Sequence, residues 1–132
     1  MKADLKALLA KLTNTPIIVE QGTDGIWTYR KWSNGTAECW GTKGYTATSF
    51  PQWGSIYYGE PYTSFYTAYP TNLFIDTPSV TGEITTAGGD LWLVKASTAA
   101  NKNRTPEWYP ARAASIGSIG FYISYHAIGR WK

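Results

Sequence analysis

Residues 26–41, IWTYRKWSNGTAECWG, constrain the fold of this 132-residue chain more than any other segment. Asn34 and Gly35 lie between two runs of strand-forming residues, and both readily adopt the positive φ that a two-residue type I′ turn requires. The segment therefore predicts a β-hairpin. The expected register follows from the turn and pairs Ser33 with Thr36, Lys31 with Glu38, Tyr29 with Trp40, Trp32 with Ala37 and Arg30 with Cys39.

The predicted hairpin carries large apolar side chains on both of its faces. In this register one face holds Trp27, Tyr29 and Trp40, and the other holds Ile26, Trp32 and Cys39. A hairpin on the surface of a monomer normally has one apolar and one polar face. We therefore expect a second covering layer, which is either another sheet of the same chain or a neighbouring copy.

Residues 2–13 contain the only strong helical pattern. Leu5, Leu9 and Leu12 are spaced by four and three, as in the seam of a coiled coil, and Leu8 widens the apolar stripe. Pro16 ends the helix. Because so short a helix is marginal alone in water, it either docks on its own β-domain or bundles with other copies. We expect the bundle, with residues 1–15 as a helical stalk segment and residues 16–132 as a head domain.

The rest of the chain is interpreted as all-β. Strands are expected near residues 17–19, 55–58, 62–66, 77–86 and 91–94, the last central in its sheet, with a turn at Gly88-Gly89 and a long loop over 99–114. Residues 117–132 predict a long terminal strand, in which Ile119, Phe121, Ile123 and Tyr125 alternate with Gly120, Tyr122, Ser124 and His126. Since no crossover helices separate the strands, they fit an antiparallel β-sandwich.

Charge and hydropathy argue against several classes of partner. The net charge of +3 comes from twelve basic and nine acidic residues that are scattered along the chain. Nucleic-acid-binding domains concentrate Lys and Arg on one face, so we expect no nucleic-acid partner. No segment is apolar over the length that spans a bilayer, and residues 1–13 lack the apolar core of a signal peptide. We expect no membrane insertion and no conventional secretion.

The sequence offers little for catalysis or metal binding. His126 is the only histidine, and its place in an alternating strand predicts a packed or hydrogen-bonded imidazole. Cys39 is the only cysteine and is expected to be buried. The acidic residues are dispersed singly, although a pair formed between subunits stays open. We predict no catalytic residues, no metal and no cofactor.

Aromatic residues are dense between positions 53 and 69. Tyr and Trp combine an apolar face with a polar edge, which suits sugar stacking and protein recognition. The candidate receptor-binding residues are Trp53, Tyr57, Tyr58, Tyr62 and Tyr66. The alternative is that these rings fill a small β-core and a subunit interface.

Three segments resemble the C-terminal head domain of bacteriophage and prophage tail-fibre proteins. The hairpin string WTYRKWSNGTAECWG is similar to the hairpin that opens such heads. Tyr69-Pro70, Leu73-Phe74, Pro78 and Val80 are similar to the segment that follows in them, and AIGRWK at 127–132 resembles their last strand. The region from 45 to 66 is longer and richer in Tyr than the usual pattern.

The resemblance implies a non-enzymatic β-sandwich head that forms a homotrimer at the tip of a virion fibre. The coiled-coil spacing of Leu5, Leu9 and Leu12 predicts that these residues form the trimer interface at the end of its shaft. Such a head is made in the bacterial cytoplasm without a signal peptide, joins other tail components and acts outside the cell. Its partner would be a glycan or protein of the host surface. Two alternatives remain open: a purely structural component of a virion or appendage, and a glycan-degrading enzyme with carboxylates contributed by different subunits.

Overall fold

The computed structural model describes residues 2–13, 15–86, 90–96 and 101–132, and within the helix it describes the side chains of residues 4–9. The described residues form α1 (Lys2–Thr13), β1 (Ile18–Asp24), β2 (Trp27–Trp32), β3 (Thr36–Ala47), β4 (Gln52–Trp53), β5 (Ile56–Tyr58), β6 (Ser79–Thr85), β7 (Trp92–Lys95), β8 (Trp108–Arg112) and β9 (Ile119–Arg130). The strands make two antiparallel sheets, a large one in the order β1-β2-β3-β9-β6 and a small one in the order β4-β5-β8-β7. The predicted all-β class with a short N-terminal helix is confirmed, and the two sheets are consistent with a sandwich.

The β3–β9 ladder is the longest pairing in the described fold. It runs without interruption from Thr36 opposite Arg130 to Ala47 opposite Ile119. The alternation predicted for the terminal strand is confirmed, because Phe121, Ile123 and Tyr125 are buried while the residues between them lie on the outer face of the large sheet.

The core between the sheets is mostly aromatic and is organised around Tyr125. Its ring lies 5.8 Å from the ring of Trp27 and is stacked at 5.7 Å on Trp108 of the small sheet. The Tyr125 hydroxyl is 2.7 Å from the hydroxyl of Tyr45, and burial raises the pKa of both phenols. The indole N–H of Trp27 donates to the carbonyl of Ala68 at 2.6 Å. Buried polar atoms of these rings are thus paired, as a low-dielectric core requires.

The register of the β2–β3 hairpin differs by one residue from the prediction. Tyr29 lies opposite Cys39, and Lys31 lies opposite Ala37. The predicted type I′ turn is wrong because Gly35 alone of the two turn residues has a positive φ, 93°, and its N–H donates to the carbonyl of Trp32 at 3.0 Å. The loop therefore has three residues and is closed by a left-handed glycine.

This one-residue shift exchanges the faces of β3. Tyr29 and Cys39 share the core face, whereas Trp32 and Trp40 lie on the outer face of the large sheet. The guanidinium of Arg30 lies 5.0 Å from the centre of the Trp40 ring, so one of the outer indoles is covered by a cation from its own sheet.

The same outer face carries the only histidine of the chain. His126 Nε2 lies 2.9 Å from Glu38 Oε2 on the neighbouring strand, so the imidazole is hydrogen-bonded as predicted. The two residues approach because the ladder places Glu38 and His126 on the same face, two positions apart along the sheet.

Three further strand predictions need correction. Residues 62–66 form no strand, and β7 is an edge strand of the small sheet rather than a central one. The segment 99–114, predicted as a loop, contains the interior strand β8. Pro110 lacks an N–H, but its carbonyl accepts a hydrogen bond from Gly59 at 2.7 Å, so the strand is still held on that side. The turn predicted at Gly88-Gly89 lies outside the described residues.

The bounds predicted for the helix agree with α1. Leu5, Leu8 and Leu9 are each more than half exposed, so the described part of the chain does not bury this stripe. The side chain of Leu12 lies outside the described residues.

Close contact between the sheets predicts that Gly82→Ala destabilises the protein. A Cβ at Gly82 would overlap the six-membered ring of Trp108, whereas a Cβ at Gly117 would meet nothing within 4 Å. We expect Gly82→Ala to lower the free energy of unfolding by ~1–3 kcal/mol, as overpacking typically does. Denaturant unfolding of both variants is the measurement, and an equal effect of Gly117→Ala would contradict this account.

The buried thiol of Cys39 predicts resistance to alkylation. Burial, with a smaller contribution from the charge of Glu38, raises the pKa of Cys39 to about 12. The reactive thiolate is then roughly one part in ten thousand at pH 8. Mass spectrometry after iodoacetamide treatment should find no adduct on the folded protein and one adduct after denaturation. Rapid labelling of the folded protein would show that β3 is not packed in this register.

Candidate binding cleft on the small sheet

The β4–β5 hairpin presents Trp53 to solvent. Gly54 has a φ of 61° at the first central position of the two-residue turn that pairs Trp53 with Ile56, as a type II′ turn requires. Trp53 at this hairpin is 67% exposed, the largest exposure among the described large apolar residues.

Three tyrosines meet beside this hairpin. Tyr58 comes from β5, Tyr109 from β8, and Tyr62 from the turn after β5, which is closed by the bond from Ser64 N–H to the carbonyl of Pro61 at 3.0 Å. The ring centres lie 5.6 Å apart for Tyr58–Tyr62, 6.1 Å for Tyr58–Tyr109 and 5.9 Å for Tyr62–Tyr109, all edge to face. Such arrangements hold aromatic rings in fixed mutual orientation.

Together these four rings line a cleft of about 290 Å³, which we call the aromatic cleft; its lining is completed by Lys95 and Ala96 at the end of β7. The volume is at the lower end of the range found for small-molecule sites. Lys95 is the one charged residue among the described lining residues. The cleft therefore offers apolar ring faces and phenolic hydroxyls, with Lys95 at its edge.

The phenol of Tyr58 remains protonated at neutral pH. Burial and the negative charge of Glu60 raise the pKa of Tyr58, and its hydroxyl lies 3.5 Å from Glu60 Oε1. Glu60 also accepts from the Ser49 hydroxyl at 3.4 Å. The Glu60 carboxylate thus contacts the hydroxyl of Tyr58, although Glu60 is not among the described residues that line the cleft.

The structure divides the five aromatic residues that the sequence suggested for receptor binding. Trp53, Tyr58 and Tyr62 line the aromatic cleft. Tyr57 alternates to the opposite face of β5 and packs on the core. Tyr66 lies elsewhere, with the guanidinium of Arg104 at 4.2 Å from its ring centre.

Sequence reasoning missed Tyr109 and Lys95, because both belong to segments whose pairing was not predicted. Tyr109 is in the strand interpreted as a loop, and Lys95 ends a strand placed at the centre of its sheet. The alternation of Trp108, Tyr109 and Pro110 was an available signal for β8. Pro106 before the strand and Pro110 within it obscured that signal.

Within the described residues, no group of three or more His, Cys, Asp and Glu side chains could hold a metal ion. The described part of the chain also contains no helix with the length and hydropathy needed to cross a membrane. Comparison with protein families, curated proteins and solved structures gave no match. The aromatic cleft and the exposed helix are the features of the described residues that bear on function.

Proposed function

We propose that this chain is the non-enzymatic head of a trimeric phage tail fibre and that it binds a glycan of the bacterial host surface in the aromatic cleft. The observation that carries the proposal is the convergence of four aromatic rings on one cleft of about 290 Å³. A sugar ring has apolar C–H faces and polar hydroxyl edges, which match ring faces beside phenolic groups. The tail-fibre assignment is supported by the resemblance of residues 26–41, 69–80 and 127–132.

Exposure of the rings favours binding over a purely structural role. Trp53 is 67% and Tyr62 45% exposed, although neighbouring aromatic residues such as Phe65 and Tyr69 are buried. The composition of the cleft favours binding over glycan hydrolysis, since none of its described lining residues is a carboxylate. On this proposal the head acts outside the cell, at the tip of the virion fibre, with other tail components behind it.

Trimerisation supports adhesion through avidity. The exposed stripe of Leu5, Leu8 and Leu9 fits a short stalk in which three copies bury these side chains together. Three linked clefts raise the overall affinity by ~10²–10⁴ without a new contact, so weak binding of one sugar ring suffices for capture.

Truncating a ring of the aromatic cleft should abolish most glycan binding. On an array of bacterial surface glycans, we expect Trp53→Ala to lower the apparent affinity by about tenfold or more, because buried aromatic anchors dominate binding energy. The matched control is Tyr122→Ala, which removes another exposed ring from the outer face of the large sheet. Wild-type protein that binds no glycan, or a Trp53→Ala variant that binds as wild type does, would refute the proposal.

Charge in the leucine stripe should dissociate the trimer. Sedimentation equilibrium at micromolar concentration should give three times the 14.6 kDa mass of one chain, and Leu5→Asp should shift the mass toward one chain. Ala7→Asp places the same charge on the opposite side of the helix and should leave the mass unchanged. A wild-type monomer would contradict the trimer.

A further inference from the structure

We infer that the aromatic cleft is one end of a longer site, which continues across the small sheet to Trp92 and binds a linear oligosaccharide rather than a single sugar. This inference rests on the proposed glycan binding and adds the length of the ligand and a second stacking residue. It is carried by the position of Trp92 in the sheet, by the apolar character of that face and by the separation of the face from the chain that leads to the helix.

Trp92 lies on the same face of the small sheet as the cleft. Directly opposed residues of antiparallel strands share a face, and Ala111 of β8 lies opposite Tyr58 on one side and opposite Trp92 on the other. The next residue of β7, Leu93, alternates to the inside and packs on the core. The indole of Trp92 is 42% exposed. An exposed indole therefore continues the row of Tyr58 beyond the lining of the cleft.

This face, which we call the outer face of the small sheet, is apolar along its whole width. The strand positions that alternate with the core-facing residues of β4, β5, β7 and β8 hold only aliphatic and aromatic side chains: Trp53, Ile56, Tyr58, Trp92, Val94, Tyr109 and Ala111. The outer face of an antiparallel sheet in water normally carries polar side chains. Contiguous apolar surface of this kind is typical of a binding groove, and here it extends past the cleft.

The two most exposed rings of the outer face stand on its opposite edges. Trp53 is in β4 and Trp92 is in β7, with β5 and β8 between them. Three strand spacings separate the two edges, which amounts to about 14 Å. A single sugar ring that stacks on one indole cannot reach the other, whereas a linear oligosaccharide lying across the strands can contact both. Ala111 is fully buried between Tyr58 and Trp92, so it does not obstruct that path.

The route of the chain favours a saccharide over a second copy of the protein as the occupant. Pro16, which follows the helix, lies in a groove with Trp32 and Ile128 on the outer face of the large sheet. The chain from the helix thus enters the head on the side of the core opposite Trp92, and copies joined through their helices lie nearer the large sheet. The outer face of the small sheet points away from them. Its indoles and phenols combine apolar faces with polar edges, as a sugar ring requires.

The test measures how binding depends on the length of the glycan. Soluble fragments of one to six sugar residues, prepared from the bacterial surface glycans that bind on the array, are titrated against the full chain by ligand-observed NMR. We expect the affinity to rise by about tenfold from the single sugar to the longer fragments and then to level off, because the second indole adds its own stacking contact. Trp92→Ala should remove this gain and leave the single sugar unaffected, whereas Trp53→Ala should weaken binding at every length. Trp92→Tyr should retain most of the gain.

The control is Tyr122→Ala, which removes an exposed ring from the large sheet and should leave the length dependence unchanged. Equal affinity for single sugars and longer fragments, a gain that survives Trp92→Ala, or an equal loss at every length in that variant overturns the inference while the proposed glycan binding stands. A changed sedimentation mass of Trp92→Ala would show that a second copy covers this face, and overturns it too. The wild-type length dependence decides the question even where Trp92→Ala does not fold. Absence of binding to every glycan overturns both proposals.

Discussion

The pairing of β3 with β9 is the constraint on which the rest of the structure depends. These two 12-residue strands form the middle of the large sheet and supply much of its inner face. Ala37 and Cys39 of β3 are buried on this face, and the ring of Trp27 lies against Tyr125 of β9. Trp108 of the small sheet stacks on Tyr125 and lies over Gly82. The position of the small sheet, and so of the aromatic cleft, follows from that packing.

Much of the fold could be predicted because period-two patterns report a strand with one buried face. The alternation in β9 and the strand-forming residues around Asn34 and Gly35 are such patterns. The hairpin register could not be predicted from the turn, because the same two residues fit a two-residue turn and a three-residue loop closed by glycine. The choice is made by the core: only the observed register places Cys39, Ala37 and Tyr29 together on the inner face.

The aromatic cleft was predictable in part for a similar reason. Trp53, Tyr58 and Tyr62 are close in sequence, so their density alone indicated a cluster. The alternation along β5 separates Tyr57 from Tyr58, and the sequence already contains that information once 56–58 is taken as a strand. Tyr109 and Lys95 are brought to the cleft by the pairing of β5 with β8 and of β8 with β7, which joins distant segments and leaves no local pattern.

Two parts of the cleft lining have different structural roles: Tyr109, which we call the floor, and Trp53 and Tyr62, which we call the rim. Tyr109 follows Trp108 directly on β8, so the residue at the floor is positioned by a neighbour whose ring is stacked in the core. Trp53 and Tyr62 belong to a hairpin tip and a turn, both exposed. Changes at the rim can therefore alter which sugar is bound with little effect on the core, since exposed loop positions contribute little to stability. Changes at the floor act on ligand and fold together, because β8 connects the cleft to the packing around Tyr125.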